Sequence, residues 1–312
     1  MSPWCDRTTL VSIFLGIDGG GTKTSCVIGD EKSVLGTGTS AGSNVIRVGE
    51  RQARESLGAA IRQACATAKI SPMQIERTCV GIAGGARPEI ATIVRRLLSE
   101  FISGQIEVLG DMVIAMESAF SGGPGVMIIA GTGSIAYGRN SRGDTARAGG
   151  WGFAISDEGS GHWIGRSAIA ACMRAYDEEP NGTQSVLLDN VMKSWDVTTH
   201  EQLVVAANGS SDFAALLPAV LRAADAGDTI ARDVLTQAGG ELATLAEIVI
   251  GRLFSRTEAV PVAVSGGVFR HCEMVREVFY GRLRAEQPQV SLNAGIVNPA
   301  MGALQLARVA TR

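Results

Sequence analysis

The chain has 312 residues, enough for two domains of ordinary size, and a formal net charge of −3 at pH 7. Its 28 basic residues form no dense run, so nucleic acid is not an expected partner. No apolar stretch approaches the ~20 residues that cross a membrane, and the first residues lack the pattern of a signal peptide. A cytoplasmic location without a membrane partner is therefore expected. The six cysteines form no CxxC pair and predict neither a zinc site nor a disulfide framework.

Strand-like and helix-like patterns alternate through the first part of the chain. Short apolar runs bounded by glycine or polar residues predict strands. Apolar residues spaced three and four apart predict helices. A loose leader is expected over residues 1–11. The predicted strands are 13–17, 25–29, 33–39, 78–83 and 105–109, and the predicted helices are 50–69, 88–100 and 113–120.

The pattern then begins again. A strand at 126–130, the turn Gly131-Thr-Gly-Ser134 and a strand at 135–139 repeat the first strand, glycine turn and strand after about 110 residues. The remaining predicted elements are a mainly helical stretch at 162–251, a strand at 260–265, a helix from near His271 and a last helix at 300–310.

Together, the alternation and the repeat predict an α/β chain with two lobes. The first lobe is expected at 12–120 and the second at 121–298, the latter with a helical insertion. The last helix, within 299–311, is expected to return and pack on the first lobe. Each lobe would then carry one copy of the strand, glycine turn and strand.

The first glycine turn begins at Asp18 and reads DGGGTKT. Because Gly20 and Gly21 lack side chains, their backbone N–H groups can come close to a phosphate. Thr22 and Lys23 add donors, and Asp18 at the strand end is placed to hold a hydrated Mg²⁺. A tight hairpin that needs glycine only for its backbone is the alternative. A P-loop is excluded because Thr22 stands where glycine must precede the lysine, and a strand follows where a helix is required.

The second turn offers similar donors through Thr132, Gly133 and Ser134. Its sequence formally fits the dinucleotide pattern GxGxxA. A strand-like segment follows it, however, and that fold requires a helix there. Two such turns in repeated halves favour phosphate binding over two unrelated hairpins.

Six short motifs occur in an order that is specific to a known family, although each motif alone is weak. They are Gly16-Ile-Asp-Gly-Gly-Gly-Thr-Lys-Thr24, Gly110-Asp111, Gly131-Thr-Gly-Ser134, Gly149-Gly-Trp-Gly152, Asp157-Glu-Gly-Ser-Gly161 and Ser265-Gly-Gly-Val-Phe269. Over about residues 13–308, the chain resembles the N-acetylglucosamine kinase branch of the BadF/BadG/BcrA/BcrD ATPase family. That family belongs to the sugar kinase, Hsp70 and actin superfamily.

This resemblance implies a two-lobed actin-like ATPase fold with an RNase H-like domain in each lobe. ATP with Mg²⁺ would bind in a central cleft between the lobes. The implied reaction is ATP-dependent phosphorylation of the 6-hydroxyl of an amino sugar, most readily N-acetylglucosamine. A homodimer is also implied.

Asp111 is the candidate catalytic residue. It follows a predicted strand and opens a helix, so from the residues alone it could be a helix N-cap or a cleft-facing carboxylate that accepts a proton. The resemblance assigns it the second role, because it matches the aspartate that contacts and activates the sugar hydroxyl. One carboxylate could serve both roles.

The glycine-rich segment from Gly149 to Gly161 is the candidate sugar loop. It combines an aromatic side chain with carboxylates, as sugar pockets do. By resemblance, Asp157 would bind ring hydroxyls, and Trp151 and Gly152 would form part of the pocket wall. An ordinary surface loop with a core tryptophan is the alternative.

Four further residues are assigned by resemblance. Asn44 matches an asparagine that contacts the sugar, and Thr132 would face both sugar and phosphate. Gly266 and Gly267, between a strand and a helix, would let the adenosine lie close to the backbone. The alternatives are an ordinary loop asparagine and a simple helix start.

Alternative substrates and functions are judged by the residues that each would need. Glucosamine and N-acetylmuramic acid are close alternative substrates, and Glu158 could face a free amine. An activator of radical dehydratases would need cysteines for an iron–sulfur cluster, and no cysteine stands in a matching motif. A sugar sensor without turnover is disfavoured by intact Asp18 and Asp111. His162, His200 and His271 lack metal-site spacing, unlike the zinc motif of the ROK sugar kinases.

Overall fold

A computed structural model describes residues 11–179, 185–209 and 212–309. Residues 1–10 of the predicted leader (1–11) and Ala310, the predicted end of the last helix, lie outside these residues. The chain divides into two compact units. Unit 1 runs to Gly122 and resumes at Asn298, and unit 2 is Gly123–Val297.

Strands and helices alternate as the sequence predicts. Among the described residues, the strands are β1 Ile13–Gly19, β2 Lys23–Gly29, β3 Val34–Ala41, β4 Ile75–Ile82, β5 Gln105–Gly110, β6 Gly125–Ala130, β7 Ser134–Arg139, β8 Thr145–Gly149, β9 Val260–Ser265 and β10 Val290–Ile296. The α-helices are α1 Val45–Ala68, α2 Pro88–Leu98, α3 Asp111–Phe120, α4 Gly161–Glu178, α5 Val186–Ser194, α6 His200–Asn208, α7 Leu217–Asp225, α8 Thr229–Leu253, α9 Gly267–His271, α10 Glu273–Glu286 and α11 Pro299–Arg308.

The sheet of unit 1 has the order β3-β2-β1-β4-β5. β1, β4 and β5 are parallel, and β2 pairs antiparallel with both β1 and β3. Successive side chains of a strand point to opposite faces. Leu15 and Ile17 therefore pack on the side of α1 and α2, whereas Phe14 packs with α3 and α11.

The sheet of unit 2 has the order β10-β9-β6-β7-β8. β6, β9 and β10 are parallel, and β7 pairs antiparallel with β6 and β8. In its core, α8 packs over β6, β7 and β8, and α4 packs on α8. Read from the antiparallel edge, both sheets have the same strand order, so the internal repeat predicted from the sequence is confirmed.

The structure corrects several predicted elements. β8 and β10, which form the two edges of the second sheet, were not predicted. The helix predicted from near His271 is α10, which begins at Glu273, and the short helix α9 before it was not predicted. The turn from β9 into α9 can be tight because Gly266 has a φ of 103°, which few other residues adopt. Val268 and Phe269 of this short helix are buried in the core.

Helix α1 is broken near its start. Gly49 has a φ of 75° and a ψ of 165°, which are not helical values. The segment Val45–Val48 is therefore a single turn, and the long helix begins at Glu50, as predicted. In the described part of the chain, no helix is long and apolar enough to cross a bilayer.

Candidate active site

The first glycine turn is a tight hairpin between β1 and β2. The N–H of Gly20 donates to the carbonyl of Lys23 over 3.0 Å. A Cβ on Gly20 would lie 2.8 Å from that carbonyl oxygen, so the turn itself requires glycine here. The hairpin geometry weighed from the sequence is thus present, and Thr22 and Lys23 are exposed on it. A tight hairpin and a phosphate site are compatible, because the hairpin fixes where its N–H groups point.

A second segment is fixed directly on this turn. The carbonyl of Gly20 accepts hydrogen bonds from the N–H groups of Ser43 and Asn44, at 3.0 and 3.1 Å. A Cβ on Gly42 would lie 2.2 Å from the carbonyl oxygen of Gly21. The buried Thr24 hydroxyl lies 2.8 Å from that of Ser43. The residue predicted to contact sugar, Asn44, is therefore joined to the turn predicted to bind phosphate.

The side chain of Asn44 is held in a defined direction. Its Oδ1 accepts the N–H of Ile46 over 3.1 Å and so caps the turn Val45–Val48. Within the described residues, the hydrogen bonds of this side chain involve Oδ1 alone. The Nδ2 amide group is therefore the part of Asn44 that can donate to a ligand.

Asp18 and Asp111 lie at the same edge of the unit 1 sheet. In the strand register, Asp18 pairs with Gly81 and Gly81 pairs with Leu109. Adjacent strands are about 4.8 Å apart, so β1 and β5 are separated by roughly 10 Å. Asp18, near the end of β1, and Asp111, directly after β5, therefore lie at the same edge, where the carboxyl ends of these parallel strands meet.

Asp111 is the first residue of α3, and Gly110 occupies the N-cap position. The Met112 N–H donates to Asp111 Oδ1 over 3.0 Å. Desolvation by burial raises the pKa of the Asp111 carboxyl, and the backbone N–H groups of Met112 and Asp111 oppose that effect. A raised pKa makes this carboxylate a stronger proton acceptor than an exposed aspartate.

The second glycine turn lies between β6 and β7 and supports the start of α4. The N–H of Gly131 donates to the carbonyl of Gly133 over 2.9 Å. The carbonyls of Gly131 and Thr132 accept the N–H groups of Gly161 and His162, at 2.8 and 3.2 Å. The sequence predicted a turn and a loop separately, and the structure joins them through the backbone.

Asp157 forms the centre of this junction. Its side chain is buried, and it adopts a φ of 68°. Burial raises the pKa of its carboxyl, and the nearby backbone N–H groups of Ser134 and Gly152 lower it to a smaller extent. A Cβ on Gly133 would lie 2.7 Å from Asp157 Oδ2. Asp157 therefore joins the second turn to the sugar loop.

Ser134 makes a parallel connection. Its buried hydroxyl donates to the carbonyl of Glu158 over 2.6 Å. The Ser134 side chain, predicted to contact phosphate, is thus directed to the sugar loop. The other predicted donors of this turn, Thr132 and Gly133, are half-buried.

The tip of the sugar loop exposes large apolar side chains. Trp151, Phe153 and Ile155 are 62%, 64% and 80% exposed. The Arg147 guanidinium lies 4.0 Å from the centre of the Trp151 ring. The ring of Phe153 lies 5.0 Å from that of His162. The sequence singled out Trp151 and missed Phe153 and Ile155, although their alternation along the loop was visible.

Gly266 and Gly267 lie beside the second glycine turn. Parallel β6 and β9 pair Ile129 with Ser265, so the two turns that follow are neighbours. A Cβ on Gly266 would lie 2.2 Å from the carbonyl oxygen of Ala130. Gly131 and Gly267 face open space, because a Cβ on either would meet no atom within 4 Å. The predicted nucleotide residues of unit 2 thus converge at one sheet edge with accessible backbone.

Comparison with known proteins places this arrangement in a family. The BadF/BadG/BcrA/BcrD ATPase family matches residues 15–307. The chain belongs to this family. The resemblance predicted from the ordered motifs is therefore confirmed.

Relatives span nearly the whole chain. An N-acetylmuramic acid/N-acetylglucosamine kinase of Clostridium acetobutylicum is 30% identical over 94% of this chain and 97% of its own length. An N-acetyl-D-glucosamine kinase of Dictyostelium discoideum is 30% identical over 95% and 97%. A solved Chromobacterium violaceum protein, provisionally named an N-acetylglucosamine kinase, has a TM-score of 0.76 at 24% identity, covering 96% and 99%. These likenesses confirm the actin-like ATPase fold with a repeated α/β unit.

Proposed function

We propose that this family member transfers the terminal phosphate of ATP to the 6-hydroxyl of an amino sugar, with N-acetylglucosamine as the first candidate. The observation that carries the proposal is the placement of Asp111. This desolvated carboxylate lies at the same sheet edge as Asp18, beyond the end of a parallel strand. The names of the relatives at 30% identity support an amino-sugar kinase.

The chemistry needs one proton acceptor and accurate positioning. The 6-hydroxyl oxygen forms a bond to the terminal phosphorus as the bond from that phosphorus to the bridging oxygen of ADP breaks. The hydroxyl proton passes to the Asp111 carboxylate. The Met112 N–H at Oδ1 fixes the orientation of this carboxylate and leaves Oδ2 for the hydroxyl.

The residues of both units fit Mg²⁺ and a nucleotide. Asp18 is a half-buried carboxylate at a strand end, and Mg²⁺ prefers such oxygen ligands together with water and phosphate. Gly131 and Gly267 leave open space where a side chain would otherwise stand. Bound Mg²⁺ would supply positive charge to the phosphates. The proposed phosphate contacts are Gly20, Gly21, Thr22, Lys23, Thr132, Gly133 and the backbone of Ser134, and Gly266 and Gly267 are the proposed adenosine contacts.

For the sugar, we propose the Asn44 Nδ2 group as a donor and the Asp157 carboxylate, with its two oxygens, as an acceptor. Trp151 and Gly152 would form the wall, and Thr132 would face both substrates. Apolar side chains at the loop tip suit a sugar that carries an acetyl group better than one with a free amine.

Glucosamine stays an alternative substrate, because Glu158 can accept a free amine at Oε1 while Oε2 accepts the Ser156 hydroxyl over 2.8 Å. N-acetylmuramic acid stays an alternative substrate, because the name of one relative includes it. An activator of radical dehydratases would need clustered cysteines. The described cysteines are individually buried, and no three potential metal ligands meet in the described part of the chain.

The deciding experiment is a sugar panel. Purified protein with MgATP and N-acetylglucosamine, N-acetylmuramic acid, glucosamine or glucose is assayed for ADP, and the product is located by NMR. N-acetylglucosamine 6-phosphate is the expected product. ADP formation without any sugar phosphate would refute the proposal, and light scattering of the same sample would test the expected homodimer.

The base is tested with Asp111→Asn. We expect its turnover to fall by about 10²–10⁴, the usual contribution of a positioned base. Asp233→Asn, an isosteric change at an exposed helix position, serves as the control and keeps the wild-type rate. Wild-type turnover by Asp111→Asn would remove Asp111 from the mechanism.

A further inference from the structure

Arg47 lies on the short turn that is fixed to the first glycine turn. Val45–Val48 forms one helical turn, and the break at Gly49 separates it from the rest of α1. The Asn44 carbonyl accepts the N–H groups of Arg47 and Val48, at 2.9 and 3.0 Å. Since Asn44 is itself bonded to Gly20, the backbone of Arg47 has a fixed position relative to the glycine turn.

The side chain of Arg47 extends back over that turn. A Cβ built on Gly21 would lie 3.0 Å from Cδ of Arg47, 3.5 Å from Nη1 and 3.7 Å from Nε. The guanidinium therefore lies against the backbone of Gly21, and the missing side chain of Gly21 makes this approach possible. Arg47 is nonetheless exposed.

The surroundings of Arg47 suit an anion, because the backbone turn beside it offers N–H groups and Lys23 adds a positive charge. Arginine suits such a place, because its planar fork can bind two oxygens of one phosphate.

We propose that Arg47 binds the terminal phosphate of ATP held at the first glycine turn and so belongs to the phosphate site. This inference rests on the proposed function for the identity of the nucleotide. Arg47 follows Asn44 by three residues, so one rigid segment would contact the sugar through its amide and the transferring phosphate through its guanidinium.

The test uses nucleotide binding without sugar, so that its outcome is independent of turnover. Affinities of the wild-type protein and of Arg47→Met for ATP, ADP and AMP are measured by calorimetry with Mg²⁺ present. We expect Arg47→Met to weaken ATP binding by about 10- to 100-fold, the usual effect of a charge-assisted hydrogen bond, and to leave AMP binding unchanged. Arg47→Lys should recover part of the loss.

Arg51→Met is the matched control, because it removes the same charge one turn away, and it should bind ATP as the wild type does. Equal losses for ATP and AMP, or an unchanged ATP affinity, would overturn the proposal. A second arm compares N-acetylglucosamine with N-acetylmuramic acid as substrates of Arg47→Met. A defect confined to the second sugar would assign Arg47 to the sugar's carboxylate and would also overturn the phosphate assignment. If the wild type binds ATP but phosphorylates no sugar, the proposed function fails while the binding test of Arg47 stands.

Discussion

Gly302 offers a direct test of how α11 positions α3, the helix that begins with the proposed base Asp111. Both helices lie in unit 1, and they pack together on one face of its sheet. A Cβ on Gly302 would lie 1.9 Å from the carbonyl oxygen of Ile114 and 2.6 Å from the N of Ser118. These are backbone atoms of α3, which cannot rotate away. Gly302→Ala therefore forces the two helices apart.

The size of the effect follows from the distances. Non-bonded heavy atoms pack at about 3.5–4.0 Å, so the helices must separate by roughly 1.5 Å or distort. Overpacking of this kind costs about 1–3 kcal/mol. Alanine also gains up to about 1 kcal/mol over glycine within a helix, which offsets part of the cost. We expect a net loss of about 1–2 kcal/mol in the free energy of unfolding.

Denaturant unfolding compares Gly302→Ala with two controls, Gly251→Ala and Gly281→Ala. These glycines also lie in helices, but an added Cβ would meet no atom within 4 Å. The controls should be stabilised by about 0.4–1 kcal/mol. Because α3 carries Asp111, turnover of Gly302→Ala should fall at least about 10-fold, since small displacements of reacting groups are costly. If Gly302→Ala is as stable and active as the controls, the reasoning about helix contact is refuted.

Three further predictions concern the site. Because burial raises the pKa of Asp111, the acid limb of the kcat/KM profile should lie above the usual aspartate range. Activity should be lost as the pH falls through that raised pKa. A raised pKa also means that the ionised Asp111 carboxylate destabilises the folded state near neutral pH. The melting temperature of Asp111→Asn, measured by scanning calorimetry, should therefore be no lower than that of the wild type. Ser134→Ala leaves the Glu158 carbonyl without its 2.6 Å partner, which should lower the free energy of unfolding by about 1–3 kcal/mol and raise KM for sugar. Ser141→Ala, on an exposed turn, is the control and should change neither the stability nor KM. If Ser134→Ala and Ser141→Ala have the same KM for sugar, the bond from Ser134 to Glu158 does not hold the sugar loop in place.

The sequence predicted the central strands well because they carry continuous apolar runs. β1, β6 and β9 are buried on both faces, so their composition is unmistakable. β8 reads TARAG and β10 reads VSLNAGI. Both are edge strands, with a partner on one side only, and their small and polar residues give no clear alternation. Their place is set by pairing with β7 and β9, which a local pattern does not contain.

The sequence likewise predicted some features of the candidate site and missed others. Asp18, Asp111 and the glycine turns were visible because their residue types and positions at strand ends have a chemical meaning. The contact between Arg47 and Gly21 was not visible, since a lone arginine near a helix start has no distinctive pattern. The bond from the Ser134 hydroxyl to the Glu158 carbonyl also joins residues 24 positions apart, and such a bond follows from tertiary packing.

Both units connect a proposed sugar contact to a proposed phosphate turn through hydrogen bonds to backbone carbonyls. In unit 1 the Asn44 N–H binds the Gly20 carbonyl, and in unit 2 the Ser134 hydroxyl binds the carbonyl of Glu158, the residue after Asp157. A ligand that orders a turn therefore also orders the neighbouring sugar contact within the same unit. The second ligand then binds to a segment that the first has already ordered, so its binding loses less conformational entropy. Nucleotide and sugar should accordingly bind with positive coupling, and by linkage the factor must be the same in both directions. Weakening either connection should reduce that coupling before it abolishes the binding of either substrate alone.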